Sequence, residues 1–323
     1  MKRRTVYILM LVISVSTAAV FTFLFINNSG DIPTGLQAVI NPSDAPQFKQ
    51  HLDSEFGDSL AKPMDVTKSN SFIFVTDTNN KRIVVYDLAG SPLYKFGEEG
   101  NKPGQFRFPY GISADNKGNI FVADLYNGNI SIFDEKGKFI KYFAEQSVKD
   151  KKITSPAGLR IINEKVYVTD IQQNKVMVFD LQGKLLQEIG KPGTGEGEFM
   201  APNAVTADKE GNVYVVDTGN QRVQAFDKDG KFVRVINGTK NGQGESYFVN
   251  PRGIGIDSRG YVYVVSNLTH IVYGFTKEGE QVFQFGSMGE GNGQFQLPNG
   301  LFLDDDDNVL ITDTLNLRVS VFN

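Results

Sequence analysis

The chain has 323 residues, with 33 lysines and arginines against 37 aspartates and glutamates, two histidines, no cysteine and no tryptophan. The lack of cysteine excludes disulfides, thiolate chemistry and lipoprotein attachment, and two histidines cannot build a three-histidine zinc site. A net negative charge without a basic stripe argues against nucleic-acid binding, which needs clustered cations to neutralise phosphates.

The N-terminus combines a basic cluster at residues 2–4 with 22 uncharged residues at 5–26. A membrane helix needs about 20 such residues, and basic residues beside it stay in the cytoplasm. We predict a cytoplasmic stub at 1–4 and a single-pass signal anchor at 5–26, with the remaining chain on the extracytoplasmic side of the cytoplasmic membrane. The alternative is a signal peptide cleaved near Ala19, but the apolar run continues beyond that residue, which favours an uncleaved anchor.

From residue 46 onward, one pattern is repeated six times. Each copy opens with a proline, 46 to 49 residues after the previous one: Pro63, Pro109, Pro156, Pro202, Pro251 and Pro298. Three residues before each proline lies an apolar side chain: Leu60, Phe106, Ile153, Phe199, Phe248 and Phe295. Self-similarity at a fixed period indicates a repeat architecture. We assign residues 46–323 to one repeat domain and residues 27–45, which contain Pro, Gly, Ser and Asn without strand alternation, to a linker.

Each copy contains four short strand signals separated by turn residues. In the second copy the strands are GISAD, NIFVAD, NISIFD and FIKYF, separated by NKGN, LYNG and EKGK, all typical of Gly, Asn and Asp turns. Four strands per repeat make a propeller blade. The second strands are apolar on both faces and the fourth alternate with charges, which predicts that burial falls from the inner to the outer strand. The predicted fold is an all-β, six-bladed propeller of four-stranded blades.

The sixth copy ends at Asn323, after its third strand. Residues 46–63 match the tail of a copy, with a strand-like FKQHL, a glycine-containing loop and Leu60 before Pro63. We predict that this N-terminal segment supplies the outer strand of the last blade. Such closure removes open sheet edges.

An acidic residue ends the second strand in five copies, and serine replaces it in the fifth, at Ser266. The turn after it carries Asn and Arg in the fullest copies. We predict structural roles for these turn residues, because Asp and Asn satisfy backbone donors in tight turns and Arg pairs with the carboxylate. The set is Asp77, Asn80, Arg82, Asp124, Asp170, Asp217, Asn220, Arg222, Asp313, Asn316 and Arg318.

These motifs, together with P-x-G at the first strand and FD-x-x-G before the fourth, resemble the NHL repeat propellers over residues 46–323. The absence of tryptophan does not fit the WD-repeat pattern. The resemblance implies an interaction platform, since NHL propellers commonly bind partners and some are exported sensor domains of membrane-anchored bacterial kinases. Export without disulfides also fits a bacterial envelope protein.

Binding residues are expected where the copies differ. The residue after each proline should lie at the mouth of the central channel, on the same face as the turns between second and third strands. Our candidate binding residues there are Tyr110, Tyr126, Asn203, Arg252, Asn267 and Asn299. A mixed aromatic, amide and charged ring suits a protein or ligand surface, and an ordinary solvated loop face is the alternative.

An enzymatic role must also be weighed, because some related propellers are metal-dependent hydrolases or lyases. We identify no catalytic residue, no metal ligand set and no cofactor, although calcium bound by carboxylates and amides remains open. The run Asp304 to Asp307 fills a turn that should face away from the mouth. The sequence thus favours an exported, membrane-anchored scaffold or sensor module for an envelope protein or small ligand. The alternative is a calcium-dependent, lactonase-like hydrolase.

Overall fold

The computed structural model describes residues 44–53 and 59–323. Within these residues, six four-stranded antiparallel sheets form the blades of a propeller. The innermost strand of each blade packs against those of its two neighbours, and the first and sixth blades meet in the same way. The predicted six-bladed all-β fold with four-stranded blades is confirmed.

The strands of each blade follow one another from the channel outward. Blades 1 to 3 comprise Pro63–Lys68, Ile73–Asp77, Arg82–Tyr86 and Pro92–Phe96; Pro109–Ala114, Ile120–Asp124, Asn129–Phe133 and Phe139–Tyr142; and Pro156–Ile162, Lys165–Asp170, Lys175–Asp180 and Leu185–Ile189. Blades 4 and 5 comprise Pro202–Ala207, Val213–Asp217, Arg222–Phe226 and Phe232–Ile236; and Pro251–Ile256, Val262–Ser266, Ile271–Phe275 and Gln281–Phe285. Blade 6 comprises Pro298–Leu303, Val309–Asp313, Arg318–Phe322 and Phe48–Leu52.

The remaining regular structure lies in the loops between blades and, for Thr218–Asn220, in a turn within blade 4. Two of these loops contain short parallel bridges, Glu98–Glu99 with Gln105–Phe106 and Lys191–Pro192 with Glu198–Phe199. The short helix Glu145–Lys149 follows blade 2, and the 3-10 turns are Thr218–Asn220 and Lys240–Gly242. No helix among the described residues is long and apolar enough to cross a membrane. The predicted anchor at 5–26 lies outside the described residues.

Burial falls from the channel to the rim, as the strand patterns predict. Every residue of the second strand Ile73–Asp77 is buried, whereas the fourth strand Pro92–Phe96 alternates between half-buried and exposed positions. The second strand lies between two other strands and is sandwiched by neighbouring blades, so both its faces need apolar side chains. The outer strand needs them on one face only.

The N-terminal strand closes the ring. Phe48–Leu52 pairs antiparallel with Arg318–Phe322 in blade 6, and the backbones of Gln47 and Asn323 exchange two further hydrogen bonds. Leu52 is fully buried in a cluster shared with blades 1 and 6. The predicted closure is therefore confirmed, and the strand Phe48–Leu52 covers the sheet edge of the last blade.

The apolar residue three before each proline is a wedge between blades. All six such side chains are at most 2% exposed. Phe106, for example, packs with Ile83 of blade 1 and Ile112 of blade 2 in a single cluster. Full burial of such a side chain contributes about 1.5–3 kcal/mol, so these residues hold neighbouring blades together.

Candidate binding face at the channel mouth

One face of the propeller carries the candidate binding residues and the repeat turns that the sequence singles out. Pro109, at the start of its first strand, pairs with Asp124 at the end of the second, so the turns between second and third strands share a face with the first-strand starts. The loops between blades reach this face too, because the side-chain amide of Asn127 donates to the Gly100 carbonyl at 2.9 Å. We call this face the mouth face and the other the opposite face.

The repeat acid organises each turn on the mouth face. Asp217 is fully buried. Its carboxylate accepts the backbone N–H of Met200 at 2.8 Å, the side-chain amides of Asn220 and Gln224, and Nε of Arg222 at 2.8 Å. The amide of Asn220 also donates to the carbonyl of Gly193. One carboxylate thus joins the turn to the preceding loop between blades.

Equivalent carboxylates make equivalent contacts elsewhere in the ring. Asp77 and Asp313 accept both the Asn amide and the Arg Nε of their own turn, and Asp124 and Asp170 accept several backbone N–H groups. The turn residues involved are Asn80, Arg82, Asn316 and Arg318. Each carboxylate is fully buried and surrounded by donors, which accounts for its repetition by folding.

In the fifth blade, serine replaces the repeat acid and makes fewer hydrogen bonds. The Ser266 hydroxyl accepts only the N–H of Val249 from the described residues, at 2.9 Å, and donates weakly to the carbonyl of the same residue. Asn267 next to it is buried, and its side-chain amide donates to the Pro298 carbonyl of blade 6 at 2.8 Å. Asn267 is one of the candidate binding residues of the mouth face, and the structure places its side-chain amide between two blades.

The residue after the repeat acid links neighbouring blades through a hydrogen bond, which the sequence pattern did not predict. Thr78, Thr218 and Thr314 occupy the same position in their turns, and each hydroxyl donates to the proline carbonyl that opens the next blade. Leu125 and Ile171 replace this donor in blades 2 and 3, and both pack instead against the cluster formed by Met64, Tyr110 and Ala157. Aligning the residue after each repeat acid would have revealed this apolar break.

The channel is closed by a salt bridge in its interior. Both Oδ atoms of Asp65 accept hydrogen bonds from Arg160, at 2.7 and 2.9 Å. The same guanidinium donates to the carbonyls of Ile112 and Leu301. Arg160 of blade 3 therefore ties together blades 1, 2 and 6 across the axis, and its charge is fully compensated.

Above this bridge, a second layer of polar side chains fills the mouth. The Tyr110 hydroxyl donates to Oδ1 of Asn203, and Nη1 of Arg252 lies 3.4 Å from the same hydroxyl. Asn299 also lines this layer. The free volume left between these side chains is about 20 Å³, room for about one water molecule. The channel is therefore filled, and any larger ligand must bind on top of it.

The six candidate binding residues differ in accessibility. Tyr126 is 41% exposed and Arg252 is half-buried. The remaining four are buried: Tyr110, Asn203, Asn267 and Asn299. The structure thus brings Tyr110, Asn203, Asn299 and Arg252 together at the channel and places Tyr126 and Asn267 in the surrounding turns.

Aromatic rings and cations meet beside Arg252. The Phe108 ring lies 4.6 Å from that of Tyr126. Nζ of Lys62 lies 5.1 Å and Nζ of Lys81 lies 6.0 Å from the Phe108 centroid, within the range of cation–π attraction. Burial lowers the pKa of the Lys62 ammonium, and the charges of Arg252 and Lys81 lower it further. The centre of the mouth face is thus electropositive although the chain is acidic.

Exposed apolar side chains are concentrated on the same face. Among the described residues, six large apolar side chains at least 38% exposed lie there: Tyr126, Met200, Leu268, Met288, Leu315 and Leu317. In the described part of the opposite face, Leu88 is the counterpart. The others lie on outer strands at Leu93, Ile140, Leu186 and Val233. The asymmetry between the two faces marks the mouth face as the one suited to contacts.

Potential metal ligands lie apart from this centre. No group of three or more His, Cys, Asp or Glu residues suited to a metal ion occurs in residues 44–53 and 59–323. Asp304 and Asp307 lie in the turn between the first and second strands of blade 6, on the opposite face. Asp304 accepts N–H groups of its own turn and pairs with Lys68, and Asp307 accepts two hydrogen bonds from Ser258. Both therefore have structural partners.

Comparison with known proteins agrees with the repeat geometry. The family DUF5128, described as a 6-bladed beta-propeller, matches residues 142–223. Protein lin-41 of Caenorhabditis elegans is 49% identical over 45 residues, which are 14% of this chain and 4% of that protein. Human NHL repeat-containing protein 3 is 37% identical over 67 residues, 20% of this chain and 19% of that protein. These matches thus span less than a fifth of either relative.

Solved structures resemble this chain over most of its length at low identity. Virginiamycin B lyase from Staphylococcus aureus aligns with a TM-score of 0.58 and 14% identity, over 86% of this chain and 99% of that one. An auxiliary nutrient binding protein from Bacteroides thetaiotaomicron aligns with a TM-score of 0.62 and 12% identity, over 86% and 75%. Identities this low show the fold alone. The repeat turns, the matching family model and the NHL relatives together support an NHL-type six-bladed β-propeller.

Proposed function

We propose that this propeller is a non-catalytic binding module whose mouth face engages an envelope protein or a small ligand. The observation that carries the proposal is the asymmetry between the faces: exposed apolar side chains surround a filled channel on the mouth face. Large exposed apolar side chains cost solvation unless a partner covers them, and they are typical of interaction sites. A filled channel supports docking onto the surface in preference to entry of a substrate.

Site-specific photo-crosslinking tests the face. Leu315 is 56% exposed on the mouth face, so p-benzoylphenylalanine at this position should form an adduct with the partner in intact cells. The matched control carries the same group in place of Asp305, which is exposed on the opposite face. Adducts from position 315 and none from 305 are expected. Adducts from 305 alone would show that the partner binds the other side of the disc.

We further propose that the propeller is exported and held at the cytoplasmic membrane by residues 5–26. The support is the basic cluster at 2–4 followed by an uncharged run long enough to span a bilayer. Without the three basic residues at its start, the chain carries 30 basic and 37 acidic side chains, which suits a domain that does not bind nucleic acid.

Cell fractionation checks this topology. A full-length band in the membrane fraction is expected, digested by external protease only after the outer envelope is opened. The physical reason is that an uncleaved apolar helix of this length does not leave the bilayer. Soluble protein whose N-terminus lies near residue 20 would show a cleaved signal peptide instead.

A further inference from the structure

Two arginines occupy successive layers of the channel, and among the described residues only the inner one is paired with a carboxylate. Arg160 is held by both oxygens of Asp65 and by two carbonyl groups. In the outer layer, the hydrogen-bond partner of the Arg252 guanidinium among the described residues is the Tyr110 hydroxyl, at 3.4 Å. Nε of Arg252 is buried and has no partner among them. A partly buried guanidinium normally has a carboxylate or several acceptors, so Arg252 has fewer acceptors among the described residues than is usual for such a group.

The surroundings of Arg252 add positive charge. The charges acting on Lys62 are those of Arg252 and Lys81, so three cations lie near one another. Tyr110, whose hydroxyl donates to Asn203 and faces Arg252, holds the guanidinium at the mouth. Like charges held together raise the free energy of the unoccupied face, and a bound anion would lower it.

Next to the cations lies an apolar and aromatic surface. Tyr126 is exposed and lies against Phe108, while Leu125 and Ile171 pack against the buried cluster that contains Tyr110. An occupant with a carboxylate on Arg252 and an apolar side chain on Tyr126 would use both parts of this surface. Arg and Tyr are among the residue types enriched in the energetically dominant positions of interfaces.

We propose that this surface, formed by Arg252, Lys62, Phe108 and Tyr126, binds a short acidic segment of a protein partner in which carboxylates alternate with apolar side chains. This inference rests on the proposed function, since it names the chemistry of the partner that the mouth face takes. The partner's carboxylate pairs with the Arg252 guanidinium, and its apolar side chain covers the exposed Tyr126 ring.

The charge around the site favours a short peptide over a long polyanion. Glu98, Glu99 and Glu290 are exposed in the loops between blades on the same face. An extended nucleic acid would have to cross this acidic rim, where repulsion opposes binding. A peptide with two or three carboxylates reaches the cationic centre without covering the rim.

Fluorescence anisotropy on the purified full-length chain tests the proposal. The probe is a rhodamine-labelled peptide, Gly-Glu-Leu-Glu-Leu-Glu-Gly, and the comparison peptide has glutamine in place of each glutamate. The acidic peptide should bind at least tenfold more tightly than the amide peptide, and binding should weaken with added salt because charge attraction is screened. Arg252→Gln should weaken binding of the acidic peptide at least tenfold. Lys62→Gln, as a separate variant, should also weaken it.

Arg234→Gln is the matched control, because Arg234 lies on the outer strand Phe232–Ile236 away from the mouth. It should leave binding unchanged, and melting curves of all variants should remain within a few degrees of the parent. Equal binding of the acidic and amide peptides, or no effect of Arg252→Gln and Lys62→Gln, would overturn the proposal. Binding of an eight-nucleotide oligouridylate with no binding of the peptide would also overturn it and indicate a nucleic-acid site.

The outcome is distinguishable from failure of the proposed function. Crosslinking from position 315 reports whether any partner covers the mouth face, whatever its charge. If position 315 crosslinks a partner while the acidic peptide does not bind, the binding face stands and the acidic-segment proposal falls.

Discussion

Deletion of residues 44–53 is expected to lower the melting temperature by at least about 10 °C, or to prevent soluble expression. The deletion removes a whole strand of blade 6, its pairing with Arg318–Phe322 and the fully buried Leu52. Loss of a buried leucine side chain alone costs about 2–5 kcal/mol, and each kcal/mol shifts the melting temperature of a domain of this size by about 2–4 °C. The exposed edge of Arg318–Phe322 would also promote aggregation.

Point variants of the same strand separate this effect from a general effect of truncation. Leu52→Ser removes the buried side chain, while Lys49→Ser changes an exposed position of the strand. Thermal unfolding followed by circular dichroism should show a large loss for Leu52→Ser and almost none for Lys49→Ser. Equal melting curves for the deletion and the parent would contradict closure of the ring by this strand.

The second large effect is expected for Asp217→Ala. The substitution removes the carboxylate that accepts hydrogen bonds from Nε of Arg222, the side-chain amide of Asn220 and the N–H of Met200. Breaking a buried ion pair by removing one partner costs about 3–5 kcal/mol. Denaturant unfolding should therefore show a loss of this size. Ser266→Ala in blade 5 removes a hydroxyl with one good hydrogen bond and should cost about 0.5–1.5 kcal/mol.

Hydrogen exchange provides an independent reading of the same contrast. The turn at 266–271 should exchange sooner than the turn at 217–222 in the parent protein, because fewer hydrogen bonds hold it closed. In Asp217→Ala, the turn at 217–222 should exchange as fast as the turn at 266–271. Equal protection of both turns in the parent would mean that the Asn267 link to Pro298 replaces the missing carboxylate.

The sequence alone determined the blade count, the order of strands and the closing strand. These features depend on local chemistry: turn residues at a fixed spacing, alternation along each strand, and a proline at each blade start. FKQHL was assigned to blade 6 because the copy ending at Asn323 has three strands, and Phe48–Leu52 pairs there. Each of these patterns is contained in a few consecutive residues, so no distant contact is needed to read them.

The tertiary structure alone decided what the varied positions do. Tyr110 meets Asn203 and Arg252 only because blades 2, 4 and 5 converge at the axis. Along the chain, Tyr110 is 93 residues from Asn203 and 142 residues from Arg252. Asn267 differs from the other copies and is a candidate binding residue, and its side-chain amide donates a hydrogen bond to the Pro298 carbonyl of the next blade. Whether a polar side chain is free or paired depends on neighbours brought in by ring closure, which no single repeat contains. The position of Arg252, next to the Tyr110 hydroxyl and above the Arg160–Asp65 ion pair, is a property of the closed ring.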